Sequence, residues 1–311
     1  MILQGAFIVI QQIFIIFILI GVGFLAAKFG ILGEEGARQL TDLLLLIVIP
    51  CVIIMAFQAS FERSLIKNLL IAALLAALTH TAGILLSKLI FKNEAPGRKM
   101  MLAYSTVFYN AGFFSLPLLR ALLGETGVLY GSVFVAVFNL FAWTYGVRMM
   151  NGGNSGSKWK TFWNPGVISL LIALMLVLFN IRLPEILQTT LRYITGLHTP
   201  LAMMIIGCQF YMMRRSFNLR DLGLWKTVLA RNILVPLLML ALIFYLAQDK
   251  TLFFASVITA SAPTATNTIL FATKYRQDVN TAVQTVILTT LITILSIPLM
   301  MALAMLLKGA L

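Results

Sequence analysis

Two stretches decide how the rest of the chain is read: Asn110-Ala111-Gly112-Phe113-Phe114-Ser115-Leu116-Pro117 and Ala260-Ser261-Ala262-Pro263-Thr264-Ala265-Thr266-Asn267. Each sits inside an apolar run long enough to be a helix. Proline has no backbone N–H, and its ring clashes with the carbonyl four residues earlier, so each of these helices must kink or break. In hydrocarbon a freed carbonyl is costly unless it is buried in protein or lines a polar cavity. Two such breaks, one in each half of the chain, point to a ligand site near the middle of a membrane.

The setting supports a membrane. Of the 311 residues, 60% are hydrophobic and only 11% charged, which excludes an ordinary soluble domain. Ten stretches hold no charge at all: 1–27, 43–61, 68–87, 100–119, 126–147, 161–181, 193–213, 232–248, 251–273 and 279–307. Crossing the hydrocarbon takes roughly 20 helical residues, and every stretch is near that length. The expected fold is therefore an all-α membrane protein of ten transmembrane helices. The first stretch has no Lys or Arg before Lys28 and is too long for a signal core, so it reads as a retained first helix.

The net charge of +13 at first suggests nucleic acid, but its distribution does not. Fifteen Lys and Arg fall in the connections after helices 1, 3, 5, 7 and 9, among them Lys28, Arg98, Arg148, Arg220 and Lys274. Seven fall on the other side: Arg63, Lys67, Arg120, Arg182, Arg192, Lys250 and Lys308. The positive-inside rule turns the first side to the cytoplasm, leaving both termini outside the inner (cytoplasmic) membrane and no nucleic-acid partner. The one remaining cation, Arg231, is expected near the cytoplasmic start of helix 8, snorkelling to the interface. Cys51 and Cys208 lie in apolar spans and read as packing residues, and no metal-ligand spacing or cofactor motif occurs.

The most polar segment, NGGNSGSKWK at 151–160, is a flexible linker between five helices and five. An odd number per half makes the second half enter the membrane in the opposite sense, giving two inverted repeats, 1–149 and 163–311, around a cytoplasmic linker at 150–162. Prolines agree in order: Pro50 and Pro200 fall in the second helix of each half, Pro117 and Pro263 in the fourth.

On this topology helices 4 and 9 run in opposite directions, and their breaks meet near the midplane. The half-helix after each break begins with unpaired N–H groups at the positive end of a helix dipole. Two such ends aimed at one point suit a carboxylate without any buried Lys or Arg. Asn110 and Asn267 would add amide donors, Ser115, Thr264 and Thr266 hydroxyls, while Gly112 and Ala262 would let the broken segments approach. The other reading is that these polar groups merely satisfy freed carbonyls. All ten acids, Asp42 included, lie in connections or at helix ends, which disfavours cation exchange. Two readings stand for His80 in helix 3, a titrating proton-coupling group or a histidine satisfied between helices. Asn139 in helix 5 is either a cavity residue or a bridge between helices.

These segments resemble the auxin efflux carrier family of membrane transporters over nearly the whole chain. YNAGFFSLPLLRALLGETG is similar to the family's first crossover and its glycine turn, ASAPTATNTILFATKY to its second. NPGVISLLIALML with RLP, TPLAMMIIGCQF and TTLITILSIPL resemble its sixth, seventh and last helices. The resemblance implies a scaffold of helices 1, 2, 6 and 7, and a transport domain of helices 3–5 and 8–10 that moves as an elevator. It implies organic anions such as auxin, malonate or malate as substrates, and a homodimer formed through the scaffold. Asn110, Pro117, Pro263 and Asn267 would surround the carboxylate, with Pro50 facing them from helix 2. Ser115 stands where family members often have a second glycine, and the plant exporters' long loop is here a short linker.

The expected function is thus a secondary transporter of small organic anions working by alternating access, with proton or sodium coupling open. One rival is a sodium-coupled symporter of the bile-acid type, with Thr264, Thr266 and carbonyls as sodium ligands. The other is a polytopic membrane enzyme or sensor, for which the chain shows neither a His/Asp/Glu cluster nor a signalling domain.

Overall fold

The computed structural model describes residues 2–60, 65–150, 165–179, 181–213, 218 and 220–309; the linker at 151–160 lies outside them. Among these residues the chain is helical throughout and has no strand. Helix α1 is Ile2–Lys28 and α2 spans 34–60, built of Glu34–Leu43, a π-turn Leu44–Val48 and Ile49–Ser60. Next come α3 (Ile66–Ile90) and α4 (Pro96–Val107). A π-turn Ala111–Ser115 then opens the helical run that Gly124 divides into α5 (111–123) and α6 (125–150). The second half holds α7 (Pro165–Leu178), α8 (Glu185–Gly196), α9 (His198–Met213) and α10 (222–246, with a π-turn Leu229–Leu234). It ends with α11 (Lys250–Ala260), α12 (Asn267–Lys274) and α13 (Val279–Lys308).

Among the described residues, six helices are long and apolar enough to cross a membrane. One of them, Ala111–Met150, is kinked at Gly124, whose φ of 64° is a left-handed conformation that a side chain resists. The remaining apolar segments are shorter or broken. Helix α8, largely exposed, is an element that the charge-free stretches concealed, because it straddles Arg192.

Prolines explain most of the π-turns. Pro50, Pro117 and Pro236 each stand two residues after one ends, at Val48, Ser115 and Leu234. The N–H that proline lacks would have bonded the carbonyl four residues back, which in each case lies inside the π-turn. Widening the turn there relieves the ring clash and lets earlier carbonyls bond five residues on, as Ser115 N donates to Asn110 O at 3.2 Å. Helix 4 therefore breaks not at Pro117 but at 108–110, ahead of the π-turn that Pro117 induces. Pro298, inside α13, has no π-turn before it, and the structure offers no account of the difference.

Helices α1 and α9 approach so closely that glycine is required on both. A Cβ on Gly23 would stand 2.1 Å from Met204 O, and one on Gly207 1.9 Å from Ile20 O. This small-residue contact takes the place of a hydrophobic driving force, which lipid does not supply. Among the connections, Arg98 pairs with Asp221 and, at 3.4 Å, with Glu94, which also meets Lys226 at 3.7 Å. The cluster ties the α3–α4 connection to the start of α10.

Gly207→Leu is expected to separate α1 from α9 and lower the melting temperature in detergent, at an overpacking cost of about 1–3 kcal/mol. Gly21→Leu, where the space is open, leaves it unchanged. Burial raises the Asp221 carboxyl, but the Arg98 guanidinium and the Gly223 amide outweigh it and hold the group below its ordinary 3.8. Its stabilising contribution is therefore full well above that value and is lost as pH falls through the lower folded one. Asp221→Asn should lower the melting temperature at pH 7 and flatten its decline in acid.

Candidate functional site

The two breaks bind each other through their backbones. Asn110 N donates to Pro263 O at 2.8 Å and Ala265 N to Phe108 O at 2.9 Å, an antiparallel pairing that sets Tyr109 opposite Thr264. Backbone groups freed where α4 and α11 end are thus satisfied by the opposite segment. Thr264 completes the seam. Its hydroxyl donates to Ser105 O at 2.7 Å, and its N–H to Thr289 Oγ1 at 3.1 Å. Gly83 on α3 allows the close passage of α4, since a Cβ there would meet Val107 Cα at 3.0 Å.

On one side of this crossing lies a cavity of about 330 Å³. Its polar end is formed by the first residues of the two outgoing half-helices, Ala111, Gly112 and Phe113 on one and Asn267 on the other. These first turns carry the positive end of each helix dipole, although Ala111 N already donates to Tyr109 O at 2.8 Å, Thr268 N to Ala265 O at 3.0 Å and Ile269 N to Thr266 O at 3.1 Å. Asn110 caps one of them, its Oδ1 accepting from Phe113 N at 3.1 Å. Its Nδ2 is left buried with no hydrogen-bond partner, on a residue that lines the cavity. Apolar walls come from α2 (Leu45, Leu46, Ile49), from α6 (Val135, Phe138, Ala142) and from Phe271. Asp42, Trp143 and Lys274 also line the cavity, the Lys274 ammonium 5.6 Å from the Trp143 ring centre; Asp42 and Lys274 are exposed.

Of the residues singled out in the sequence, Asn110, Gly112, Asn139 and Asn267 line this cavity. Asn139 also donates to Val135 O of its own helix at 3.0 Å. Ser115, Pro117, Ala262, Pro263, Thr264 and Thr266 are buried around the crossing rather than on the cavity wall. Thr264 acts as the alternative reading has it, donating to the freed carbonyl of Ser105, while the Ser115 hydroxyl adds a second donor to Asn110 O, which already accepts from Ser115 N. A Cβ on Gly112 would meet Ile49 Cδ1 of α2 at 3.5 Å, an ordinary contact, and nothing of the opposite break, so the two broken segments do not need a glycine there. That same Ile49 lines the cavity in place of the adjacent Pro50. His80 lies behind the wall, stacked on Phe141 at 4.5 Å and tilted against Tyr109 at 4.8 Å, with Nδ1 2.8 Å from Ala76 O.

Arg231 overturns its expected place. It is not at an interface but wholly buried, because α10 begins at Leu222, nine residues earlier. Nη1 donates to Thr106 O at 3.3 Å and Nη2 to Ala260 O, and the guanidinium carbon lies 5.2 Å from the Tyr109 ring centre. Dividing the chain at charges had cut helix 8 short at this residue. The signal available was that Arg231 alone among the cations fell in no connection.

A family model described as membrane transport protein matches residues 8–301. The chain belongs to this, the auxin efflux carrier family. Relatives in the family include an uncharacterized transporter of Methanocaldococcus jannaschii, 26% identical over 310 residues, covering 92% of this chain and 96% of that one. Another, from Methanothermobacter thermautotrophicus, is 24% identical over 297 residues, covering 93% and 96%. An uncharacterized transporter of Saccharomyces cerevisiae shares 35% identity over 80 residues, 26% of this chain and 12% of that one. Membership makes the protein a membrane transporter, and the crossing of broken helices borders a largely apolar cavity with a polar end.

Proposed function

We propose that this transporter carries small organic anions, bound by a carboxylate at the polar end of the crossover cavity. The observation that carries the reading is the convergence of two half-helix N-termini with the unpartnered Nδ2 of Asn110 and with Asn267. The Asn110 Nδ2 and the Asn267 amide can donate hydrogen bonds, and the helix dipoles beside them favour negative charge. The apolar walls receive the carbon skeleton. In this proposal the protein has ten crossings in two inverted five-helix repeats. Helices 1, 2, 6 and 7 form a dimerising scaffold, and the remainder is a domain that moves as an elevator. The cavity residues Asp42 and Lys274 belong to the side with fifteen of the Lys and Arg, so the conformation is read as open to the cytoplasm, with both termini outside. Cavity walls drawn from both α2 and α6 fit a site between scaffold and moving domain.

A thermal-shift screen of mono- and dicarboxylates on purified protein identifies the anion, and its flux is then followed in proteoliposomes. Asn110→Ala and Asn267→Ala are expected to lose at least tenfold in transport while still inserting as the wild type does, Asn110→Ala melting somewhat lower because the cap on Phe113 N is lost. Wild-type flux in both variants would falsify the assigned site.

For His80, the aromatic box around the ring favours packing over proton coupling. His80→Phe should therefore keep both transport and its response to an imposed pH gradient. Loss of gradient-driven accumulation with anion binding intact would instead assign the proton to this imidazole.

A further inference from the structure

The crossing of two broken helices creates four helix ends, and the N-terminal pair faces the cavity. The C-terminal pair needs a different partner. Carbonyls in the last turn of a helix lack intrahelical donors and carry roughly half a negative charge per helix end. Thr106 lies one residue from the end of α4, and Ala260 is the last residue of α11. Both carbonyls accept from the guanidinium of Arg231. Two ends of about half a charge each balance one guanidinium. No carboxylate pairs with Arg231 among the described residues, so these dipoles and the face of Tyr109 are what hold its charge in a buried position.

In transporters built on discontinuous helices, these C-terminal ends and unwound carbonyls are where a coupling cation binds. We propose that Arg231 is a tethered cation holding that position permanently, so that the crossover needs no sodium. The proposal rests on the reading of the crossover as the transport site. A guanidinium stays protonated in proteins, so unlike sodium it neither leaves nor titrates during a cycle. It comes from the π-turn Leu229–Leu234, which Pro236 induces, and so is fixed to the backbone of α10.

Neighbouring oxygens are also committed. The Thr264 hydroxyl donates to Ser105 O, and Thr289 Oγ1 accepts from Thr264 N while donating to Thr285 O at 2.7 Å. Asn232, next to Arg231, donates to Thr289 O and Ser296 Oγ, which fixes α10 to α13 beside the guanidinium. A sodium ion at Thr264 would have to displace these bonds and lie close to a fixed positive charge. Arg231 is on this account a positioning residue. It touches no substrate, but it cancels the negative ends of the crossing and leaves the cavity side positive.

The test is chemical rescue, read without any transported substrate. Purified wild type and Arg231→Ala are compared by melting temperature in sodium, choline and low guanidinium, and by binding of radiolabelled sodium. Wild type should bind no sodium above background and melt alike in sodium and choline. Arg231→Ala should melt lower and recover most of the loss with guanidinium, which has no such effect on wild type. Arg231→Lys, which keeps the charge, should fold and remain indifferent to sodium, and it serves where the alanine variant fails to fold. Saturable sodium binding by wild type would overturn the proposal. So would an alanine variant that melts like wild type, or a destabilised one that guanidinium does not restore. Because these measurements involve no anion, a wrong assignment of the anion site leaves them readable. A failed rescue likewise leaves the Asn110 and Asn267 flux test standing.

Discussion

The structure depends on one reciprocal backbone contact. Two helices that break inside an apolar environment each expose carbonyl and amide groups that no lipid can satisfy. Here each break supplies the other, with Asn110 N on Pro263 O and Ala265 N on Phe108 O. Once that exchange is made, the helix ends must cross at one point, and Thr264, Ser115 and Gly83 become details that let the crossing close. The cavity is the space left over on one side of it.

That crossing also sorts charge. Helix ends of one sign are gathered against Arg231, the only fully buried Lys or Arg among the described residues, and those of the other sign line the cavity. On the proposed anion reading, selectivity for charge would follow from chain direction rather than from a cavity lysine. The exposed Lys274 stands over Trp143 away from the half-helix N-termini.

Much of this was legible in sequence. The apolar runs, the two small-and-polar segments and the cavity positions of Asn110 and Asn267 all follow from residue type and spacing. Two errors share a cause. Treating Pro117 as the break ignored that a helix can absorb proline by widening, which moves the true interruption upstream to Phe108–Asn110. Treating charges as helix boundaries shortened α10 at Arg231 and hid the residue that faces both C-terminal ends. It also concealed α8, whose Arg192 lies within a helix rather than between two. Tyr109, which also lines the cavity, is missed for another reason: nothing in an apolar run distinguishes an aromatic ring on a cavity wall from one in the core.

The mutual pairing of the breaks has a consequence for how the protein is made. When α4 emerges during synthesis, its partner segment is still some 150 residues from being translated. Until Pro263 and Ala265 arrive, Asn110 N and Phe108 O have no lasting acceptor or donor in the bilayer. The first half therefore cannot reach its final form on its own. It must wait in the membrane, or at the insertion machinery, with an unfinished fourth helix. Truncation anywhere before residue 265 would leave not half a transporter but a segment whose polar backbone is marked for quality control.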